Sequence, residues 1–77
     1  MNIDLKDSIE LLQSFGYKVR EINYYCLRVI SEEIPGFFDW YHTTGTVVRT
    51  LNGKHRNLGT AIHSEELTVL INKEIDL

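Results

Sequence analysis

Cysteine and proline are almost absent from this sequence, and it contains no long apolar run. Each of the two residue types occurs once among 77 residues. A single cysteine cannot form an internal disulfide, and the sequence does not open on a charged and then apolar leader, so we expect a cytoplasmic protein. A membrane-spanning helix needs ~20 apolar residues in succession, and we therefore expect no membrane partner.

Basic residues are also fewer than acidic residues. Eight Lys and Arg stand against eleven Asp and Glu, which gives a net charge of −3. This balance argues against nonspecific binding to nucleic acid as the main role. The hydrophobic fraction of 43% excludes a fully disordered chain. A chain this short forms one domain, residues 1–77, and buries only ~60% of its unfolded surface, so we expect a partner to cover part of it.

Catalytic signatures are missing as well. There is no glycine-rich phosphate loop, no nucleotide fingerprint and no Ser-His-Asp context. Cys26 lies among tyrosines without a local Cys-plus-His pattern, which is typical of a small buried residue rather than a nucleophile. Asp39 and His42 are three apart on a predicted strand and so face opposite sides, unless the turn begins at His42 and rotates it. No His-x-His or His-x-x-x-His spacing occurs. We expect no enzyme, no cofactor and no metal site.

Apolar periodicity predicts a helix at each end of the chain. In residues 2–15, Leu5, Ile9 and Leu12 recur at helical spacing with Asp4 as the N-cap, and Gly16 is placed to end the helix.

The closing helix is predicted to begin with Ser64 as its N-cap, followed by Glu65 and Glu66 in the first turn. Leu67, Leu70 and Ile71 form its apolar stripe.

The residues between the helices alternate between apolar and polar, as strands do. Asn23 marks a tight turn, Gly45 suits the left-handed position of a bulged hairpin loop, and Asn52-Gly53 is a common two-residue turn. The predicted strands are residues 17–22, residues 24–30, an aromatic strand from Phe37, a Thr/Val strand ending at Leu51, and a short edge strand, Lys54–Leu58. The predicted fold class is α+β, in the order α-β-β-β-β-(β)-α, with both helices on one face of an antiparallel meander sheet.

One face of this sheet is predicted to pack against the helices. The predicted core consists of Leu5, Ile9, Leu12, Phe15, Val19, Leu27, Val29, Phe38, Trp40, Val48, Leu67, Leu70 and Ile71. The second face would carry Tyr24, Cys26, Ile30, Phe37 and Val47. That composition is more apolar than a solvated face needs, which predicts a homodimer through it.

Charge is segregated along the chain. Residues 17–63 contain six Lys and Arg and four Asp and Glu, whereas the two helical ends together have a net charge of −5. The hairpin between residues 49 and 56 carries bases and no acid, so an anionic partner could bind there. The candidate binding residues are Arg49, Lys54, His55 and Arg56, with Tyr41 and His42 at the preceding turn.

Two alternatives to this binding site remain open. The hairpin charges can simply keep an edge strand soluble while the aromatic residues fill the core. The acidic ends of the chain, with Asp7, Glu65, Glu74 and Asp76 among their charges, can instead occupy a basic groove on another protein by mimicking phosphates.

The segment from Phe38 to Val48, FDWYHTTGTVV, resembles a hairpin of short proteins from phages and mobile elements. Their pattern is aromatic-Tyr-Pro-Ser/Thr-Thr-Gly-Thr/Lys, and this sequence has His42 where proline is common. The resemblance extends in outline over residues 17–73 and in detail over about ten of them. It implies a small accessory protein that binds host or viral macromolecules, a group in which inhibitors of bacterial defence are common, and it transfers no catalytic residues.

Three functional hypotheses follow from the sequence. The first is a non-enzymatic protein of phage or mobile-element origin that occupies the surface of a partner protein, inhibiting a host defence or regulatory protein. The second is a nucleic-acid-binding module that uses the basic hairpin 49–56. The third and weakest is a metal- or small-molecule-binding enzyme built on Asp39, His42 and His63.

Overall fold

A computed structural model describes residues 4–75 of the chain. Its elements are α1 (Asp4–Ser14), β1 (Lys18–Asn23), β2 (Cys26–Ile30), β3 (Phe37–Tyr41), β4 (Thr46–Leu51), β5 (Lys54–Thr60) and α2 (Ser64–Ile75). The strands form one antiparallel sheet in the order β1-β2-β3-β4-β5. The predicted α+β meander is therefore confirmed, and β5 is two residues longer than predicted. Residues 2 and 3, which the predicted first helix included, lie outside the described residues.

Helix α1 ends where Gly16 allows a left-handed backbone. Gly16 has a φ of 92°. Its N–H donates to the Gln13 carbonyl across 3.0 Å, and the Tyr17 N–H donates to the Leu12 carbonyl across 3.2 Å. These two bonds form a Schellman motif, which satisfies carbonyls at the helix end that have no partner within the helix. The predicted end at Gly16 is confirmed.

Helix α2 is capped one residue earlier than predicted. The His63 carbonyl accepts a hydrogen bond from the Leu67 N–H at 3.2 Å, so His63 and not Ser64 is the N-cap. Glu66 reaches back, and its Oε1 accepts from the backbone N–H groups of His63 and Ile62 at 3.1 Å each. This is the carboxylate half of a capping box. No helix within residues 4–75 is long and apolar enough to cross a bilayer.

The first hairpin turns at Tyr24 and Tyr25, which the sequence analysis had placed in a strand. Cys26 pairs with Asn23, so the two tyrosines form the turn, and Tyr24 is 93% exposed. The Asn23 side chain accepts from the Tyr25 N–H across 3.1 Å, which stabilises the turn because the side chain replaces a backbone acceptor. The prediction that Tyr24 lies on the second face of the sheet is therefore wrong, because Tyr24 belongs to the turn between β1 and β2.

The other predicted hairpin turns are confirmed. Gly45 has a φ of 88°, and its N–H donates to the Tyr41 carbonyl across 2.7 Å. A Cβ at Gly45 would lie 2.7 Å from Thr60 Cγ2 and 2.9 Å from Ile62 Cδ1, so any other residue would have to displace these side chains as well as adopt a positive φ. Asn52 and Gly53 have φ values of 55° and 78°, as a type I′ turn requires.

Both helices pack on the same face of the sheet. The buried core consists of Leu5, Leu12, Leu27, Val29, Phe38, Trp40, Val47, Ala61, Leu67 and Ile71. Trp40 also donates its Nε1–H to the Ala61 carbonyl across 2.7 Å, which fixes the segment before α2 against β3. Ile9, Val19 and Leu70 pack against this core while partly buried.

Two predicted core residues lie elsewhere. Phe15 is 57% exposed at the end of α1. Val48 is half-buried on the face away from the helices, and its neighbour Val47 is buried in the core instead. Val47 lies opposite Trp40 in the sheet, so the side-to-side alternation of β4 is shifted by one residue from the prediction.

Candidate functional site

One face of the sheet points away from the two helices. We call it the open face. A row of directly paired residues crosses all five strands on it, with one residue from each strand, namely Arg20, Arg28, Asp39, Val48 and Asn57. Because side chains alternate along a strand, residues two positions away from this row lie on the same face.

An ion pair forms the centre of the open face. Arg28 Nε lies 2.9 Å from Asp39 Oδ1, and Arg28 Nη2 lies 3.4 Å from Asp39 Oδ2. The hydrogen bond to Asp39 raises the pKa of the Arg28 guanidinium. The same guanidinium lies 3.9 Å from the centre of the Phe37 ring, in a cation–π contact. Arg28 is therefore held in one orientation by Asp39 and Phe37.

Cys26 and Tyr41 also lie on this face. Cys26 is a free, buried thiol. Burial, and then the charge of Asp39, raise the pKa of the Cys26 thiol. The charge of a Cys26 thiolate, and then burial, raise the pKa of Tyr41. A raised pKa keeps the thiol protonated, which disfavours nucleophilic chemistry at this position.

The edge of the open face carries positive charge that is not neutralised. Arg20 lies directly opposite Arg28, and no salt bridge within residues 4–75 involves Arg20. Lys18, on the same edge, lies 3.4 Å from Glu32, and both of these side chains are largely exposed. Like charges directly opposite each other in a sheet are destabilising, and of this pair only Arg28 has a carboxylate partner within residues 4–75.

The structure does not bring the predicted binding residues into one site. Tyr41 pairs with Thr46 and His55 pairs with Thr50, which places both on the open face. Thr50 Oγ1 and His55 Nδ1 lie 2.8 Å apart, in a hydrogen bond. Arg49, Lys54 and Arg56 lie on the opposite face, on the side of the helices, because Arg49 pairs with Phe38 and Arg56.

His42 is buried rather than available for binding. Its ring packs edge-on against Trp40, with 6.0 Å between the ring centres. The side chain is 8% exposed, and neither ring nitrogen has a hydrogen-bond partner within residues 4–75. Asp39 lies on the open face, so the two residues do not converge. Within the described residues, no three His, Cys, Asp or Glu side chains gather as metal ligands would.

Arg49 and Arg56 are tied to helix α2 by a residue that sequence reasoning missed. Glu74 Oε1 accepts from Arg49 Nη1 at 3.0 Å and also from Arg56 Nη2. Glu74 is 7% exposed and Arg49 is 15% exposed, so the Arg49–Glu74 pair is largely shielded from water. Arg49 Nη2 also donates to the Pro35 carbonyl at 3.2 Å. Two of the three predicted hairpin bases therefore have a structural role.

Comparison with known proteins adds no assignment. No model of a protein family, no curated protein and no solved structure matches this chain.

Proposed function

We propose that this chain is a non-enzymatic protein-binding module whose open face docks on an acidic patch of a partner protein. The observation that supports this most directly is the Arg20–Arg28 pair, which has a surplus of positive charge beside half-buried Phe37, Tyr41 and Val48. Arginine next to aromatic and aliphatic side chains is the composition typical of protein interfaces. A partner carboxylate between the two guanidinium groups would remove their repulsion.

The size of the open face indicates a transient complex. Five strands spaced about 4.8 Å apart, each about 20 Å long, present about 500 Å². Stable interfaces bury about 800 Å² on each partner, and smaller ones belong to weak encounters. We therefore expect a dissociation constant of about 1–100 μM.

A second copy of the chain fits this face less well than an acidic partner does. Asp39 is the sole carboxylate in the row across the open face, and Arg28 already occupies it. Two copies packed face to face would leave Arg20 without a carboxylate and would bring basic edges together. The homodimer predicted from sequence is therefore the alternative that the experiment below must exclude.

Nucleic acid also fits less well. Lys18, Arg28, Arg49 and Arg56 are each paired with a carboxylate, and the chain has a net charge of −3. Binding to a phosphate backbone depends on several uncompensated bases that release counterions. If the basic hairpin bound nucleic acid, affinity would fall with salt at a log–log slope of about −2 to −4.

The resemblance of the 38–48 hairpin to phage and mobile-element proteins supports the same class of function. We therefore also propose that this protein comes from a phage or a mobile element. In this setting the module would cover the acidic patch of a host defence or regulatory protein and so inhibit it.

Selection of random displayed peptides against the immobilised protein tests the proposal. We expect enriched peptides to combine Asp or Glu with aromatic or aliphatic residues. Arg20→Glu should weaken peptide binding by about tenfold or more, because it replaces the attracting charge with a repelling one. Lys6→Glu is the matched control, since Lys6 is an exposed base on α1, and it should retain wild-type affinity within about twofold.

A second pair of variants tests the apolar part of the face. Val48→Asn should weaken binding, whereas Val69→Asn, at a half-exposed valine of α2, should not. Equal effects of the members of either pair would contradict the proposal. Salt-dependent capture of oligonucleotides in place of peptides, or a dimer mass by light scattering that the Val48 variant abolishes, would also contradict it.

A further inference from the structure

A cavity lies on the side of the β4–β5 hairpin that faces the helices. We call it the tip cavity. Its volume is about 300 Å³, and it is lined by Arg49, Leu51, Asn52, Lys54 and Arg56. Leu51 pairs with Lys54 and Arg49 pairs with Arg56, so these four side chains lie on one face of the hairpin. Asn52, in the turn between β4 and β5, also lines the cavity.

The charges around the tip cavity are not balanced within the described residues. Arg49, Lys54 and Arg56 contribute three positive charges, and Glu74 is the carboxylate that contacts two of them. Arg49 and Arg56 face each other directly, a like-charge arrangement that Glu74 relieves. Lys54 is exposed and forms no salt bridge within residues 4–75.

We propose that the tip cavity binds a small organic anion, with one carboxylate or phosphate group held by Lys54 and Arg56 and an apolar body packed on Leu51. Arg56 is 59% exposed, so its guanidinium can contact Glu74 and a ligand at the same time. Leu51 and the aliphatic stems of the basic side chains provide the apolar lining. The volume lies at the lower end of ligand sites, which limits the ligand to about the size of one aromatic ring.

This site is separate from the open face and does not depend on the function proposed above. It also assigns a role to the basic hairpin of residues 49–56, because Lys54, the lining base that Glu74 does not contact, lies at this cavity.

Amide chemical shifts of the labelled full chain, measured at constant ionic strength, test the proposal. The probes are benzoate and phenyl phosphate, with acetate and inorganic phosphate as anions that lack an apolar body. We expect benzoate or phenyl phosphate to shift the amides of Leu51, Asn52 and Lys54, with an affinity about fivefold or more above that of the matching small anion. Tighter binding of benzoate would identify a carboxylate as the preferred anionic group, and tighter binding of phenyl phosphate would identify a phosphate.

Lys54→Gln is the test variant, because Lys54 is exposed and its substitution leaves the Glu74 contacts intact. It should weaken binding of the aromatic anion about fivefold or more. Lys6→Gln removes the same charge on α1 and should change the affinity less than about twofold. The proposal is overturned if no amides at the cavity shift, if the small anions bind equally well, or if the two variants have equal effects.

Discussion

Arg20 and Arg28 lie directly opposite each other on neighbouring strands, with Asp39 paired to Arg28 and no carboxylate within residues 4–75 paired to Arg20. Asp39 offsets part of this repulsion at Arg28, but no carboxylate within residues 4–75 compensates the charge of Arg20. Natural sheets usually place opposite charges or apolar pairs at such positions, since these stabilise the sheet. An arrangement that costs stability without a gain elsewhere in the fold is typical of a functional surface, and it supports the proposed docking of an acidic partner.

The first prediction follows from that pair. Arg20→Glu places a carboxylate opposite Arg28 and should stabilise the fold by about 0.2–1 kcal/mol, although it should abolish binding of acidic peptides. Urea unfolding followed by circular dichroism measures the change. Lys6→Glu alters the net charge equally and should leave stability within about 0.5 kcal/mol. A destabilised Arg20→Glu variant would show that Arg20 has a structural partner.

The second prediction concerns Glu74. Glu74→Gln leaves Arg49 and Arg56 facing each other without a carboxylate, in a largely buried position. We expect a loss of about 2 kcal/mol in the free energy of unfolding. Glu10→Gln, at an exposed position of α1, should cost less than about 0.5 kcal/mol. If the two variants unfold at the same urea concentration, Glu74 does not hold α2 to the hairpin.

The third prediction distinguishes the cost of a steric clash at Gly45 from the cost of its positive φ. Gly45→Ala meets Thr60 Cγ2 at 2.7 Å, whereas a Cβ at Gly16 has no atom within 4 Å, and both glycines have positive φ. Gly16→Ala should therefore cost about 1 kcal/mol for its backbone conformation alone. Gly45→Ala should cost about 1–3 kcal/mol more. Equal melting temperatures for the two variants would contradict the packing of the hairpin against residues 60–62.

The fourth prediction is a pH dependence. Burial raises the pKa of the Cys26 thiol above its ordinary value of 9.0, so the folded state keeps a proton that the unfolded state releases. This contribution to stability is fully present below pH 9.0 and is lost as the pH rises towards the folded pKa. Between the pKa of the thiol in the unfolded chain and its higher pKa in the folded protein, the free energy of unfolding should fall by up to about 1.4 kcal/mol per pH unit.

Thermal melts between neutral and alkaline pH measure this effect, with Cys26→Ala as the reference. Because the charge of a Cys26 thiolate raises the pKa of Tyr41, the difference between the two proteins measures the coupled titration of the thiol and Tyr41. Parallel curves for the two proteins would mean that the thiol titrates normally.

Sequence reasoning predicted the order of elements because helical and strand periods are local. It did not locate the turn at Tyr24 and Tyr25, since aromatic residues favour strands and the turn depends on a hydrogen bond from Tyr25 to the Asn23 side chain. It also placed Val48 in the core instead of Val47. An alternating pattern does not show which of two adjacent valines faces the core. Val47 faces the core because it pairs with Trp40 across the sheet.

The binding residues were harder to predict than the fold. Glu74 contacts Arg49 and Arg56 from 25 and 18 residues away, and no spacing rule connects a helix end to a hairpin at that separation. The predicted second face included Cys26, Ile30 and Phe37, which do lie on the open face. The Arg20–Arg28 pair was missed, because it depends on the register between β1 and β2.

Chemical-shift mapping of the labelled protein, titrated with the acidic peptide most strongly enriched in the selection, tests whether the open face binds an acidic partner. We predict that the shifted amides cluster around Arg20, Arg28, Tyr41 and Val48 on the open face, and that Arg20→Glu removes these shifts. Shifts confined to α1 and α2, or to the tip cavity, would contradict it.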